Sequence, residues 1–234
     1  MPLALPNLSR DDFARRLVGA VLAEPTPATV DALFAHYREL RRWSARMSLL
    51  GPGDADQAPE RHYGEALAAL ALLPAGPATL VDIGSGAGFP GFVLAAARPD
   101  LAVTLLEPRE RRWAFLMAAC RRAGVACRCL RGRADLPLAA DLPRAIDVVT
   151  VRALRLPAPV FAALADRLTP QGRFLSWVGD ADPELPPALV PGRSLALPGS
   201  RARRILEAIR PGASAPTPVP PAPASGSRPP RSAS

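Results

Sequence analysis

Apolar positions in the first third of the chain recur every three or four residues, which is the period of an amphipathic helix. The stretch 27–50 shows this period most clearly, and its stripe consists of Val30, Leu33, Phe34, Tyr37, Leu40, Trp43 and Met47. A similar stripe over 7–24 begins after Ser9, which stands three residues before Asp12 at the spacing of a helix cap. A third helical stretch covers 60–73. The pattern therefore predicts an N-terminal helical extension over residues 1–73.

From residue 79 the period changes, and short apolar segments rich in Val, Ile and Leu alternate with helical stretches. The apolar segments are TLVDI, AVTLLEP, ACRCLRG, AIDVVTVR and GRFLSWVG, and the helical stretches lie at 88–97, 108–123 and 157–168. This alternation is typical of β-α-β units. We therefore expect an α/β fold, with a Rossmann-like, mostly parallel, doubly wound sheet in a domain over residues 74–210.

The end of the chain contains two weaker signals. Further strands are predicted near 193–197 and 203–209, although the second segment, RRILEAIR, also fits a helix. Residues 211–234 consist mainly of Pro, Ala, Ser and Gly, so we expect them to form a disordered tail.

Charge changes this picture only slightly. The formal net charge is +8, all 29 basic residues are Arg, and residues from 201 onward carry +5 of that total. Residues 1–200 therefore sum to only about +3, which is a weak indication of nucleic-acid binding. Any RNA partner has to be argued from motifs.

Several functional classes are disfavoured by composition. The three cysteines, Cys120, Cys127 and Cys129, form no C-x-x-C pair and have no histidine pair nearby, so neither disulfides nor a metal site is expected. No apolar run is long enough to cross a membrane, and no basic leader precedes an apolar stretch at the start. We therefore expect a cytoplasmic protein that binds no membrane and no metal.

The segment LVDIGSGAGFPG, residues 80–91, predicts a ligand-binding turn after the first strand. Gly86, Gly88 and Gly91 match the dinucleotide pattern G-x-G-x-x-G, but that register leaves Gly84 as an unexplained spacer. Read from the end of the strand, Asp82-x-Gly-x-Gly-x-Gly is typical of S-adenosylmethionine-dependent methyltransferases. We therefore interpret Asp82, Gly84 and Gly86 as part of a site for S-adenosyl-L-methionine.

Polar residues at later strand ends extend this candidate site. Glu107 ends the second predicted strand, where a carboxylate can bind ribose hydroxyls, and Asp135 follows the third, where it can accept a hydrogen bond from adenine. Arg152 ends the fourth strand, near the expected position of the reacting methyl group. His62, beside Arg61, is a candidate for facing a substrate, whereas His36 is interpreted as structural.

The motifs YRELRRWSARMSLLGPGD, ERHYGEAL, LVDIGSGAGFPGFVLA, TLLEPRERRWAFL, GRADL and DVVTVRAL occur in the order in which they occur in the RsmG family. This family is also called glucose-inhibited division protein B, and the resemblance covers roughly residues 30–180. It implies a class I methyltransferase that acts on N7 of a guanine in 16S ribosomal RNA or the 30S subunit. We also expect the protein to be a monomer. Carried over by position, the resemblance implies that the cofactor contacts are Gly84, Phe89, Ala134, Asp135 and Arg152. The candidate substrate contacts are Arg46, Arg61 and His62.

The chain departs from the family pattern at three places. Glu65-Ala66 stands where the family usually has Asp-Ser, Ser48 where it has Asn, and Val178 where it has Lys. These positions lie outside the glycine turn, so they bear on RNA engagement more than on cofactor binding. Two alternatives stay open: a methyltransferase acting on a small molecule or protein, and a non-catalytic RNA-binding ribosome assembly factor.

The motifs also bear on the type of methyl transfer. The chain lacks, after the fourth strand, the Asn/Asp-Pro-Pro-Tyr motif that enzymes acting on exocyclic amines use, and it has no cysteine there to act as a nucleophile. Guanine N7 carries a free lone pair, so its methylation requires no proton abstraction. The sequence therefore predicts catalysis by alignment of the reacting groups rather than by a general base.

Overall fold

A computed structural model describes residues 3–21, 24–51, 53–179, 181–200 and 202–213. Most of the predicted disordered tail, residues 214–234, lies outside the described residues.

Two helices open the chain and a more irregular helical stretch follows them. The regular helices are α1 (Arg10–Val18) and α2 (Pro27–Ser44). Their N-caps are Ser9 and Thr26, whose side chains accept from the backbone N–H three residues later, so the capping prediction at Ser9 is confirmed. Both helices end earlier than the apolar stripe predicted, because that stripe continues into turns whose side chains still pack on the core.

The helix predicted over 60–73 is not one regular helix. It consists of a π-helical turn, a short α3 and a 3₁₀ segment, with bounds Pro59–Gly64, Glu65–Leu67 and Ala68–Leu72. Gly64 packs closely against the turn that follows α1, since a Cβ atom there would lie 2.9 Å from the Ala20 Cβ. The π turn, a feature often found at functional sites, directs His62 and Glu65 toward the cleft described below.

The predicted fold class is confirmed by a seven-stranded, mostly parallel sheet in the order β3-β2-β1-β4-β5-β7-β6. Its strands are β1 (Ala78–Ile83), β2 (Leu101–Glu107), β3 (Cys127–Arg131), β4 (Ile146–Arg152), β5 (Leu168–Val178), β6 (Val190–Ala196) and β7 (Arg204–Ile209). The helices between the parallel strands are α4 (Gly91–Ala97), α5 (Glu110–Ala123) and α6 (Ala158–Asp166). Strand β7 runs antiparallel to β5, so RRILEAIR is a strand and not a helix.

Hydrophobic clusters cover both faces of the sheet. One cluster joins Leu33 and Tyr37 of α2 to Leu80 and Leu105 of the sheet, and the other lies under α6 around Phe161 and Phe174. The N-terminal helices thus share a core with the sheet. A division of the chain at residues 73 and 210 stays a prediction.

Candidate active site

The turn after β1 depends on glycine. Gly84, Gly86 and Gly88 have φ angles of +71°, +55° and +86°, a region that side chains with a Cβ rarely enter. The N–H groups of Gly84 and Ser85 both donate to the carbonyl oxygen of Leu106, at 2.9 and 3.0 Å. The turn is therefore fastened to the end of β2, and its surface offers bare backbone to a ligand.

Asp82 lies beneath this turn. Its side chain is buried and accepts from the Thr150 hydroxyl at 2.7 Å and from the Gly91 N–H at 3.3 Å. Burial raises the pKa of the Asp82 carboxyl to about 6. Asp82 does not line the cleft, so its contribution is to hold the turn and the start of α4 together.

Glu107 fastens the turn from the side of β2. One carboxylate oxygen accepts from the Gly86 N–H at 2.9 Å, and the other accepts from the Arg109 N–H at 2.8 Å. Each oxygen can accept a second hydrogen bond, and Glu107 lines the cleft. The position suits the ribose-binding role that the sequence predicted, and that role stays a prediction.

A cleft of about 690 Å³ opens at the carboxyl ends of the parallel strands. Its volume lies within the range of ordinary small-molecule sites. Eight of the sequence-predicted site residues line it: Arg61, His62, Gly84, Gly86, Phe89, Glu107, Ala134 and Arg152.

Two other predicted residues lie elsewhere on the surface. The Asp135 side chain is 66% exposed and pairs with Arg133 at 3.7 Å, outside the cleft, because residues 132–134 turn its carboxylate toward solvent. Arg46 lies in a separate groove beside the end of α2, because the chain reaches the cleft only at Leu49.

Arg152 organises the inner wall of the cleft. Its Nη2 donates to the Arg61 carbonyl, the His62 Nδ1 and the Glu65 Oε2, each at 3.1 Å. Its Nη1 is buried and has no hydrogen-bond partner among the described residues. Burial lowers the pKa of Arg152, opposed by the nearby Glu65 carboxylate. A buried donor without a partner is unusual, and an acceptor on a ligand or a water molecule can satisfy it.

His62 is neutral in this environment. Burial, followed by the charges of Arg152, Arg61 and Arg203, lowers its pKa to about 3. Its Nδ1 accepts from Arg152, so the proton lies on Nε2, which is 3.5 Å from Asp54 Oδ2. The ring stacks on Phe89 with centroids 5.0 Å apart.

Glu65 and Arg203 are functional candidates that sequence reasoning missed. The buried Glu65 carboxylate binds Arg152 through one oxygen and Arg203 through the other, and burial raises its pKa despite these cations. Glu65 retains a carboxylate where the related family has Asp, which was a usable signal. Arg203 comes from the segment before β7, 138 residues away, and no local pattern marks it.

His36 supports the turn from the opposite side, as its structural interpretation requires. The Ala87 carbonyl can only accept, so His36 Nε2–H donates to it at 3.0 Å, and Nδ1 accepts from the Tyr63 hydroxyl at 2.7 Å. The ring is fully buried, 4.3 Å from the Phe92 ring centroid, and burial lowers its pKa to about 3. One side chain of α2 thus connects the helical extension to the glycine turn.

The described residues contain neither a membrane span of helical type nor a metal-binding cluster. No helix in those ranges is long and apolar enough to span a bilayer. Within the same ranges, no three His, Cys, Asp or Glu side chains form a metal-binding group.

Solved structures share the fold of this chain. Mitomycin 7-O-methyltransferase MmcR aligns with a TM-score of 0.53 at 20% identity, over 88% of this chain and 74% of its own. MtNAS in complex with MTA and tNA aligns with a TM-score of 0.52 at 15% identity, over 86% and 75%. At these identities the likeness concerns the fold alone. The chain thus has a Rossmann-like fold, the fold of class I methyltransferases, a class whose methyl donor is S-adenosylmethionine.

Sequence relatives define the family within that class. Residues 30–184 match the model of the rRNA small subunit methyltransferase G family, and the chain belongs to this family. Ribosomal RNA small subunit methyltransferase G of Salinispora arenicola is 40% identical over 159 residues, which cover 66% of this chain and 57% of that protein. The Mycobacterium marinum protein of the same name is 34% identical over 80% of both chains. The chain thus spans little more than half the length of the first of these relatives.

The cleft fits the methyl donor of this class. The glycine turn presents backbone without Cβ atoms, Glu107 retains acceptor capacity, and Arg152 has a buried donor without a partner among the described residues. Gly84, Gly86, Glu107 and Arg152 would hold the donor.

Proposed function

We propose that this protein transfers a methyl group from S-adenosyl-L-methionine to N7 of a guanine in 16S ribosomal RNA. The observation that carries the proposal is the composition of the cleft. A glycine turn of the type that binds cofactors lies in the same cleft as several arginines and a neutral histidine. On the inner wall of the cleft, Arg152 forms hydrogen bonds with both His62 and Glu65. Membership of the methyltransferase G family supports the RNA substrate.

A general base is not needed for this reaction. The bound sulfonium supplies an electrophilic methyl group, and guanine N7 attacks with a lone pair that carries no proton. His62 cannot readily accept a proton, because its Nδ1 already accepts from Arg152 and its pKa is about 3. The Asp54 carboxylate pairs with Arg61 at 2.6 Å, and Glu65 is held between two arginines. The residues of the cleft therefore orient and stabilise the reactants and move no proton.

Arg152 has a defined task in this scheme. Three partners hold the guanidinium through Nη2, which leaves the donors of Nη1 for an acceptor on a bound ligand. A carboxylate of the donor or the O6 of guanine has the required chemistry. Phe89, stacked on His62, adds an apolar wall beside the turn.

The test uses the unmodified RNA substrate. Purified protein, tritiated S-adenosylmethionine and 16S ribosomal RNA or 30S particles lacking the modification should give one methyl group on guanine N7, mapped by mass spectrometry. The matched control is RNA with 7-deazaguanine at the target, which keeps the ring but removes the lone pair, so transfer should vanish while binding persists. The single-turnover rate should stay nearly flat across neutral pH, because no group in the cleft has to lose a proton.

Three outcomes would contradict the proposal in different ways. A methyl group on an exocyclic nitrogen, a ribose oxygen or a pyrimidine carbon would overturn the mechanism. Transfer to a metabolite or protein but not to RNA would favour the first alternative. Binding of RNA without transfer would favour an assembly factor. The proposal includes action in the cytoplasm as a monomer, for which light scattering of the complex with RNA should give a one-to-one mass.

A further inference from the structure

A second groove, of about 790 Å³, lies between the end of α2 and the outer face of α5. Five arginines line it: Arg42, Arg46, Arg111, Arg121 and Arg122. Residues 111, 118, 121 and 122 share one face of α5, and residues 39, 42, 43 and 46 come from one side of the α2 end, so helical periodicity brings these side chains together. We call this feature the arginine groove.

The arginine groove concentrates the positive charge of the folded part of the chain. Five arginines face one carboxylate, Glu39, which leaves the groove at +4. Residues 1–200 sum to only +3, so the rest of that region is slightly negative. The weak overall charge of residues 1–200 therefore conceals one strongly basic surface.

Glu39 orients this surface without neutralising it. Its buried carboxylate lies 3.8 Å from Arg42 Nη1 and 3.3 Å from Arg122 Nε, and it accepts from the Trp43 indole N–H at 3.2 Å. The Arg42 and Arg122 side chains are still 67% and 65% exposed. Each guanidinium has five N–H donors, so most of them remain directed at solvent.

The arginine groove continues into the cleft through α5. Arg111 lines the groove and donates to the Arg46 carbonyl at 3.3 Å, whereas the next residue, Arg112, lines the cleft and donates to the Ser48 carbonyl at 3.0 Å. Adjacent residues of one helix thus face both sites. A polymer that places one unit in the cleft can lay its neighbouring units along the groove.

We propose that the arginine groove binds the phosphate backbone of the ribosomal RNA next to the guanine that enters the cleft. This inference rests on the proposed function and gives it a second RNA contact outside the cleft. Exposed guanidinium groups bind phosphate oxygens in pairs of hydrogen bonds, and such contacts set affinity and orientation without reading sequence. Five of the nine residues that line the groove are arginines and three, Trp43, Met47 and Ala118, are apolar, which favours a polyanion over an apolar protein surface.

The experiment compares two double variants with equal loss of charge. Arg46→Gln with Arg121→Gln removes two arginines of the groove that form no ion pair with Glu39. Arg15→Gln with Arg144→Gln is the control, because both side chains are exposed and neither lines the groove or the cleft. Filter binding to 16S ribosomal RNA, at several salt concentrations and without methyl donor, gives the affinity and its salt dependence.

The groove variant should bind RNA roughly tenfold more weakly, and the slope of log affinity against log salt should fall by about one per arginine removed. The KM for RNA in methyl transfer should rise, while affinity for S-adenosylmethionine by calorimetry stays within twofold of wild type. A groove variant with the wild-type RNA affinity and salt slope would overturn the inference. So would loss of binding to polyglutamate with unchanged RNA affinity, which would assign the groove to an acidic protein.

The binding assay also separates this inference from the proposed function. If the wild type binds RNA without methylating it, weaker binding by the groove variant still supports the arginine groove, and only the proposed activity fails. If the wild type has no affinity for the RNA, both fail.

Discussion

The contact between His36 and the glycine turn predicts a pH dependence of stability that one substitution isolates. His36 is uncharged in the folded protein because burial lowers its pKa to about 3, from 6.5 for an ordinary histidine. Its ring packs among Tyr63, Phe89, Phe92 and Phe115. Neither a carboxylate nor a cation contributes to the lowering of this pKa, so a proton on this ring would have no opposite charge beside it.

The sign and size of the effect follow from proton linkage. Between these two pKa values the unfolded chain binds a proton at His36 that the folded protein does not, so the free energy of unfolding falls as pH falls. The loss is about 1.4 kcal/mol per pH unit inside that window, or about 2.5 kcal/mol between about pH 7 and about pH 4.5. The stabilising contribution of His36 is fully present above the pKa of the unfolded state, and it is lost as the pH falls toward the pKa of the folded state.

Other buried groups titrate in the same range. His62 acts in the same direction, with a pKa lowered to about 3. Asp82, with a pKa raised to about 6, makes the protein less stable as pH rises between its two pKa values, and the raised pKa of Glu65 acts in the same direction as that of Asp82. The wild-type slope is therefore a sum over several groups, and the difference between the wild type and His36→Gln isolates the contribution of His36.

Urea unfolding at a series of pH values between about 7 and about 4.5 gives the measurement. The glutamine side chain introduced by His36→Gln can still donate to the Ala87 carbonyl but does not titrate. We expect His36→Gln to be less stable than the wild type at neutral pH, with the gap shrinking by about 2.5 kcal/mol on acidification. Parallel curves for the two proteins would refute the burial argument. Because Ala87 belongs to the turn, affinity for S-adenosylmethionine should weaken in acid more for the wild type than for the variant.

Three further predictions concern the turn and the cleft. Gly84→Val should abolish S-adenosylmethionine binding in calorimetry while circular dichroism stays native-like, because φ is +71° there; an unchanged affinity would remove Gly84 from the site. Gly91→Ala should destabilise by roughly 1–3 kcal/mol in urea unfolding, because its Cβ would lie 2.5 Å from Leu105 Cδ2. Gly179→Ala, with open space around it, is the matched control, and equal losses would contradict the packing argument. Arg152→Ala should slow single-turnover methyl transfer on the order of 10²-fold at saturating donor, and a wild-type rate would exclude an orienting role.

The local sequence pattern determined much of the secondary structure of this protein and the position of its glycine turn. The change from helical to strand period near residue 79 predicted the helical extension and the parallel sheet, because backbone conformation and side-chain direction repeat with fixed periods. Gly84, Gly86 and Gly88 were identifiable as a tight turn after the first strand, because glycine adopts positive φ without strain. Glu107 followed from its place at a strand end, since parallel strands end at one edge of the sheet.

Tertiary packing decided how these residues are used. Asp82 belongs to the turn motif, yet its carboxylate points under the turn because Thr150 and the Gly91 N–H satisfy it there. Asp135 also sits at a strand end, but its side chain is turned out to solvent. The hydrophobic periodicity of a sequence predicts which face of a helix or strand a residue occupies. It does not predict which atoms that residue contacts.

The contacts in the inner wall of the cleft are the clearest example of what local sequence could not predict. Glu65 and Arg152 are 87 residues apart and Glu65 and Arg203 are 138 apart, so their ion pairs depend on the path of the chain through a π turn and an antiparallel strand. His36 meets Ala87 across 51 residues for the same reason. The sequence predicted where the backbone turns. The lowered pKa values of His36 and His62 and the unpartnered donor of Arg152 arise only in the folded protein, because folding buries these distant groups together, away from water.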